Sequence, residues 1–351
     1  MVKLQLLMNN WGILMSTITY DYKIDTIKSK INELNAKNVI LQFPEGLKMD
    51  AISVSKEIQE AVEGVNVIID ADPCFGACDL ADLKVNKHID LVIHFAHTPL
   101  PIKSDCPILF IEAYSDADIV NPIENALKKI PENIKTIGLV TTTQHIHKLS
   151  QMVNLIEDKG FNVKLAKGEG TSLGQVLGCN FTSVKNLDVE VIVYVGSGDF
   201  HALGVKLFTK KQVILADPFT GQAREIEEFY DKIIRIRFAR IIKAKEASSF
   251  GIIMSSKKGQ LRFDLAIKLK ELINSYGLQA QILNMDYVSP DRLLPFDLDA
   301  FVMTACPRIA IDDSAMYKKP VITPQELEIV LGITEWEDYM MDEIIIHDEQ
   351  L

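Results

Sequence analysis

Hydrophobic positions along this chain fall into short apolar runs that alternate with longer stretches of helical periodicity. Short runs rich in Val, Ile and Leu are typical of strands buried on both faces of a parallel sheet. The stretches between them carry apolar residues three and four positions apart, which predicts amphipathic helices. The alternation therefore predicts an α/β fold of parallel strands joined by helices.

The same order of elements occurs three times along the chain. Each occurrence predicts a helix, a strand, a second helix and then three further strands. The predicted strands lie at 39–43, 65–71, 91–95 and 107–113, at 137–141, 162–166, 191–195 and 212–216, and at 251–255, 279–284, 300–304 and 319–323. The predicted helices lie at 24–34, 51–62, 122–130, 145–159, 226–247 and 261–276.

This repetition predicts three related domains, each a four-stranded parallel sheet with flanking helices, in a pseudo-threefold arrangement around one centre. The predicted domains cover 1–130, 131–245 and 246–351. No Gly/Ser-rich or proline-rich linker marks either boundary, so we expect the domains to pack firmly together. The order of elements is well kept but the spacing is loose, and a single large doubly wound sheet is the alternative.

Charge and hydropathy exclude two classes of protein. The formal net charge of -11 argues against a general nucleic-acid binder, because such a surface repels phosphates. No apolar run reaches the roughly 18–20 residues that cross a bilayer, and no convincing signal peptide precedes the first domain. We therefore expect a cytoplasmic protein that is not bound to a membrane, whose translation begins at Met1 or at Met15.

The chain has five cysteines, an odd number that argues against a disulfide framework where no secretion signal is present. Three of them, Cys78, Cys179 and Cys306, follow predicted strand ends, one in each repeat. Functional side chains of parallel α/β folds gather at these strand ends. Thiolates suit iron–sulfur clusters, and three of them would leave one iron of a 4Fe-4S cluster open to a substrate.

Other interpretations of the cysteines stay open at this point. The three could simply be small residues in tight loops. Structural zinc is a weaker alternative, because it usually takes ligands paired closely in sequence. Cys74 stands four positions before Cys78 and could replace it as a ligand, whereas Cys106 directly precedes a predicted strand and is interpreted as structural.

Glycine-rich loops after strands are candidates for holding a small molecule. Gly196, Ser197 and Gly198 could turn backbone amides toward an anionic group such as a carboxylate. His201, in the same loop, and Gln260, in the loop after the first strand of the last repeat, are further candidates by their loop positions. The spacing is not that of a dinucleotide-binding loop. The loop at 256–260 also lacks the spacing of a nucleotide-hydrolysing phosphate loop, so its lysines could simply be solvated.

Six motifs together resemble a known family, the archaeal 2-(3-amino-3-carboxypropyl)histidine synthases, which catalyse the first step of diphthamide biosynthesis. The resemblance runs from about residue 38 to 331. The motifs are QFPEGL at 42–47, FGACD at 75–79, TTTQHIH at 141–147, GQVLGCN at 174–180, KKGQLR at 257–262 and ACPR at 305–308.

The resemblance implies a noncanonical radical enzyme that uses S-adenosylmethionine as substrate. It implies a 4Fe-4S cluster held by Cys78, Cys179 and Cys306, and it favours Cys78 over Cys74 because the matching motif centres on Cys78. It further implies transfer of a 3-amino-3-carboxypropyl group to a histidine of translation elongation factor 2, a homodimer and an external electron donor.

Two alternatives of other kinds accompany this interpretation. A quinolinate-synthase-like dehydratase also has three repeats around a three-cysteine cluster, with the open iron acting as a Lewis acid. A non-catalytic, cluster-bearing subunit of a larger complex is the second alternative. Release of methylthioadenosine from S-adenosylmethionine would exclude the first, and modification of elongation factor 2 by the purified chain alone would exclude the second.

Overall fold

The computed structural model of this protein describes residues 19–81 and 88–344. The two candidate starts, Met1 and Met15, lie outside these residues. Within these residues, three sheets of predominantly parallel strands are each flanked by helices, as the hydrophobic pattern predicts. No helix in the described part of the chain is long and apolar enough to cross a membrane.

The first sheet has four parallel strands in the spatial order β3-β2-β4-β5. A small antiparallel pair, β1 with β6, adjoins it. Ile27, Val54 and Leu41 lie in one buried core between the sheet and its helices. The elements are β1 (Tyr20–Asp21), α1 (Ile24–Leu34), β2 (Asn38–Gln42), a 3-10 helix (Glu45–Asp50), α2 (Ala51–Ala61), β3 (Asn66–Ile69), β4 (Leu91–Phe95), β5 (Ile108–Ile111) and β6 (Tyr114–Ser115).

The second sheet has five strands in the order β11-β10-β9-β7-β8. Separate apolar cores cover its two faces, one around Tyr194 and Phe181 and the other around Ile137 and Met152. The elements are α3 (Val120–Leu127), β7 (Thr136–Thr141), a 3-10 helix (Ile146–Lys148), α4 (Leu149–Asp158), β8 (Asn162–Lys164), α5 (Thr182–Lys185), β9 (Val191–Val195), α6 (Asp199–Thr209), β10 (Gln212–Asp217), β11 (Gln222–Glu225) and α7 (Glu227–Ala244).

The third sheet returns to four parallel strands, in the order β13-β12-β14-β15. Phe250 and Ile252 lie in the core on one face, and Ile253 and Phe301 lie in the core on the other. The elements are β12 (Ser249–Ser255), a 3-10 helix (Lys258–Gln260), α8 (Phe263–Ser275), β13 (Gln279–Met285), α9 (Pro290–Leu293), β14 (Ala300–Met303), α10 (Pro307–Ile311), a 3-10 helix (Ser314–Met316), β15 (Val321–Ile322), α11 (Pro324–Val330) and a 3-10 helix (Trp336–Asp338).

The fifth strand of the middle sheet, β11, is the main departure from the predicted pattern. It pairs antiparallel with β10 across a tight turn in which the Gly221 amide donates to the Asp217 carbonyl at 2.9 Å. Gly221 has φ +69°, which a glycine adopts without strain. The pattern missed β11 because Gln222–Glu225 is mostly polar and exposed, as expected of a sheet edge.

Helix α7 joins the second sheet to the third through one buried ion pair. Arg237 and Glu326 are both fully buried, and Arg237 Nε donates to Glu326 Oε1 at 2.7 Å. The guanidinium also donates to the backbone carbonyls of Ala310 and Val321. Glu326 in turn belongs to the capping box that begins α11 at Thr323. The pair therefore fixes the position of α7 against β15 and α11.

Candidate functional site

A cavity of about 190 Å³ lies where loops from all three sheets meet. Its lining comes from residues that follow the carboxyl ends of parallel strands, including Cys78 after β3, Thr142 after β7 and Gln260 after β12. Such strand ends are the usual place for sites in α/β folds. The fold therefore places the candidate side chains of distant sequence segments around one space.

All three predicted cluster cysteines, Cys78, Cys179 and Cys306, line this cavity. Burial raises the pKa of each thiol, that of Cys306 to about 12. Because the three thiols share this cavity, the charges of Cys78 and Cys306 raise the pKa of Cys179 further, after the larger effect of burial. Three adjacent thiolates repel one another unless a bound cation compensates them, so this donor set fits a metal centre.

The Cys78 loop is held against the loop that follows β12. Gly259 packs directly on Cys78, and a Cβ atom at position 259 would overlap the Cys78 backbone. Gln260 Nε2 donates to Cys78 Sγ at 3.3 Å, and Lys257 Nζ forms a buried ion pair with Asp79 at 2.6 Å. Lys257 is thus a structural cation at this contact and not a solvated one.

The other two cysteines are placed by their own local structure. Gly178 precedes Cys179, and a Cβ atom there would lie 3.0 Å from the Phe200 ring. The carbonyl of Cys179 accepts a hydrogen bond from the Ile344 amide at 2.9 Å. Cys306 stands at the N-cap of α10, after β14. Ile344 thus lines the cavity, although the sequence resemblance ends before it.

The predicted small-molecule residues divide into two groups. His201 and Gln260 line the cavity, whereas Gly196, Ser197 and Gly198 are not among the described residues of its lining. Gly198 has φ +73° and begins α6, so the chain turns there and the first turn of the helix carries His201 inward. Ser197 and Gly198 are exposed and Gly196 is buried against Tyr194, which leaves this loop beside the cavity.

The remaining two cysteines, Cys74 and Cys106, have other neighbours. Cys74 is buried, and its Sγ lies within 4.8 Å of ring nitrogens of His94 and His97. Cys106 contacts the Pro107 carbonyl at 3.4 Å next to β5. Neither is among the described residues that line the cavity.

Sequence reasoning did not select two further residues of the lining, Arg308 and His97. The Arg308 guanidinium lies 4.1 Å from the centre of the Phe200 ring and forms an ion pair with Asp312. Its position two residues after Cys306 was the available signal. His97 follows β4 in the sequence HFAHT, where a second histidine, His94, stands inside the buried strand. The close spacing of His94 and His97 was the available signal.

The fold and the cavity define an α/β protein in which three sheets bring three thiols to one site. The family model described as "Putative diphthamide synthesis protein" matches residues 43–341. The 2-(3-amino-3-carboxypropyl)histidine synthase of Pyrococcus horikoshii is 35% identical over 91% of this chain and 92% of that protein. The enzyme of the same name from Methanocaldococcus jannaschii is 32% identical over 90% and 91%.

A solved structure agrees with these relatives. The crystal structure of Dph2 from Pyrococcus horikoshii with a 4Fe-4S cluster has a TM-score of 0.85 and 34% identity, and it covers 93% of this chain and 94% of that one. The chain therefore belongs to the diphthamide synthesis protein family. These relatives do not favour the quinolinate-synthase-like or the non-catalytic alternative.

Proposed function

We propose that this chain is a 2-(3-amino-3-carboxypropyl)histidine synthase. It transfers the 3-amino-3-carboxypropyl group of S-adenosylmethionine to C2 of a histidine imidazole on translation elongation factor 2, the first step of diphthamide biosynthesis. The convergence of Cys78, Cys179 and Cys306 on one cavity carries this proposal, because it matches a cluster with an open iron. Family membership over residues 43–341 supports the same reaction.

Cys78, Cys179 and Cys306 would hold the 4Fe-4S cluster. When bound and reduced, the cluster supplies the electron that breaks the bond between sulfur and the Cγ carbon of S-adenosylmethionine, which gives methylthioadenosine and a carbon radical. The protein has to orient the substrate and keep water and oxygen from the radical. Loops of all three sheets line the cavity, which suits that task.

Arg308 gives the cavity lining a positive charge that suits the carboxylate of S-adenosylmethionine. Arg308 would pair with the substrate carboxylate, because a guanidinium binds carboxylates through two parallel hydrogen bonds. Gln260 and His201 are the remaining predicted contacts on the cavity wall. Burial lowers the pKa of His201 to about 4, so its neutral ring can accept a hydrogen bond at neutral pH.

Anaerobic incubation of the purified protein with dithionite, S-adenosylmethionine and elongation factor 2 tests the function. We expect methylthioadenosine together with a modified histidine on the factor. Absence of methylthioadenosine would contradict the radical reaction and revive the dehydratase alternative. Methylthioadenosine and modified factor formed by this chain alone would exclude the role of a non-catalytic subunit.

We also propose an organisation for the working enzyme. Three related domains, 1–130, 131–245 and 246–351, would surround the cluster, supported by the three sheets that meet at the cavity. The enzyme would be a cytoplasmic homodimer that takes its electron from a separate donor, as the family resemblance implies. Light scattering of the purified protein tests the dimer, and a molar mass equal to one chain of 39.4 kDa would contradict it.

A further inference from the structure

Two histidines form a hydrogen-bonded pair between the first sheet and the cavity. His94 lies within β4 and is fully buried, and His97 follows the end of that strand and lines the cavity. His94 Nε2 and His97 Nδ1 are 2.9 Å apart, a normal hydrogen-bond distance. The proposed reaction assigns no role to either ring.

The hydrogen bonds of Gln42 determine which nitrogen of each ring carries the proton. The amide nitrogen of Gln42 donates to the Asp79 carbonyl at 2.8 Å, which turns its oxygen toward His94. That oxygen lies 2.7 Å from His94 Nδ1 and also accepts from the Ala81 amide at 3.1 Å. Because an amide oxygen can only accept, His94 Nδ1 must carry a hydrogen.

The assignment then continues through the pair. A neutral imidazole has one donor and one acceptor, so His94 Nε2 is the acceptor and His97 Nδ1 is the donor. His97 Nε2 therefore keeps a lone pair. Burial lowers the pKa of both rings, that of His97 to about 4, so this neutral arrangement persists at physiological pH.

The backbone before His97 is held in an unusual conformation. Ala96 has φ +65°, in the left-handed region that residues with a Cβ atom rarely adopt. Gln144 Nε2 donates to the Ala96 carbonyl at 2.7 Å, and the Ala96 amide donates to the Ile111 carbonyl at 2.7 Å. Strained residues held in this way are concentrated at functional sites. The His97 ring is thus fixed on the wall that the three cysteines share.

We propose that His97 Nε2 accepts the proton that leaves C2 of the substrate imidazole. This proposal rests on the proposed function. Attachment of the carbon radical to C2 gives a tetrahedral carbon that still bears its hydrogen. This adduct loses one electron, for which the iron–sulfur centre, oxidised when the sulfur–carbon bond broke, is the acceptor. The C2–H bond then breaks, its electron pair restores the aromatic ring, and the proton moves to His97.

A weakly basic ring is sufficient for this step. Once the adduct has lost its electron it is a cation, and loss of the C2 proton restores aromaticity, so the proton is strongly acidic. His94 and Gln42 hold His97 with its lone pair free and are positioning residues. The product proton can leave through the cavity as the modified factor dissociates.

The test compares cleavage of S-adenosylmethionine with product formation in single-turnover reactions of His97→Gln. Glutamine keeps a polar side chain but is not basic at neutral pH. We expect methylthioadenosine within about twofold of the wild-type amount and modified factor reduced by about 10²-fold, the contribution typical of a general base.

With elongation factor 2 that carries deuterium at C2 of histidine, we expect the variant to show a larger isotope effect than the wild type. His88→Gln, an exposed histidine, is the matched control and should behave as wild type.

A second readout does not depend on activity. In ¹⁵N-histidine-labelled, oxidised protein, NMR should show hydrogen on Nδ1 and none on Nε2 for both His94 and His97. The Gln42→Met variant removes the acceptor for His94 and should change the tautomer of both rings. A hydrogen on Nε2 of His97 in the wild type would overturn the proposal.

Three further outcomes would also overturn it. The first is an unchanged ratio of product to methylthioadenosine in His97→Gln. The second is a fall in both, with a higher KM for S-adenosylmethionine, which would make His97 a substrate contact. The third is one equivalent of zinc in the purified protein that disappears in Cys74→Ala, which would make the rings metal ligands. A wild-type protein that forms no methylthioadenosine would instead refute the proposed function and leave the tautomer assignment intact.

Discussion

Cys78 illustrates how much a single position depends on its neighbours. Its thiol accepts a hydrogen bond from Gln260 at 3.3 Å, and its backbone leaves no room for a side chain at Gly259. Lys257, which follows β12, forms an ion pair with Asp79 at 2.6 Å. The motif KKGQLR thus combines a close backbone approach and a sulfur contact to Cys78 with an ion pair to its neighbour Asp79.

The five cysteines give the sharpest prediction at the residue scale. Cys78→Ala, Cys179→Ala and Cys306→Ala should each lose the absorption of the cluster at about 400 nm and most of their iron. Cys74→Ala and Cys106→Ala should keep both, because neither is part of the described cavity lining. Iron and sulfide analysis under anaerobic conditions measures the difference. Normal iron content in Cys179→Ala would refute the ligand assignment.

At the scale of elements, the connection between α7 and α11 depends on charges that are entirely buried. Arg237 and Glu326 each have no exposed surface, and the guanidinium also donates to Ala310, Ser314 and Val321. A buried pair of this kind stabilises little by itself compared with apolar packing, but loss of one partner leaves an uncompensated charge. This polar contact therefore specifies how the second and third sheets pack more than it adds to stability.

We predict that Arg237→Met lowers the free energy of unfolding by about 3–5 kcal/mol, because Glu326 would remain buried without its partner. Arg235→Met, on the exposed side of the same helix, should change it by less than about 0.5 kcal/mol. Urea denaturation followed by circular dichroism measures both. Equal effects of the two substitutions would show that the buried pair has no special role.

At the scale of the whole molecule, several histidines are buried in neutral form. Burial lowers the pKa of His97, His145 and His201 from the ordinary value of 6.5 to about 4. Between these two values the unfolded chain binds protons that the folded chain does not. The unfolded state is therefore favoured progressively as the pH falls through this window.

The free energy of unfolding should accordingly decrease as the pH is lowered from about 6.5 to 4, by up to about 1.4 kcal/mol per pH unit for each such histidine. His145→Gln should make the free energy of unfolding less dependent on pH in this window, by the contribution of one histidine. It should not alter the dependence above pH 7, where the ring is neutral in both states. Denaturation curves of the two proteins across the window provide the comparison. Parallel curves throughout would contradict the burial of His145 as a neutral ring.

Much of the fold followed from the sequence because parallel strands buried on both faces require apolar runs of recognisable length. Leu91–Phe95 and Val191–Val195 are such strands, and their predicted bounds were confirmed. The polar edge strand Gln222–Glu225 was missed, since an exposed edge needs no apolar signal. Helix α6, at Asp199–Thr209, was also missed, because glycines directly before it suggested a loop.

The sequence by itself determined the class of fold, the repetition and the three cysteines at strand ends, since these depend on local periodicity and residue chemistry. Only the tertiary structure placed Cys78, Cys179 and Cys306 on one cavity, added Arg308 and His97 to it, and left Gly196, Ser197 and Gly198 outside the described lining. The reason is physical. Whether two strand ends meet depends on how separate sheets pack, and that packing is decided by contacts such as Arg237 with Glu326, far apart in the chain.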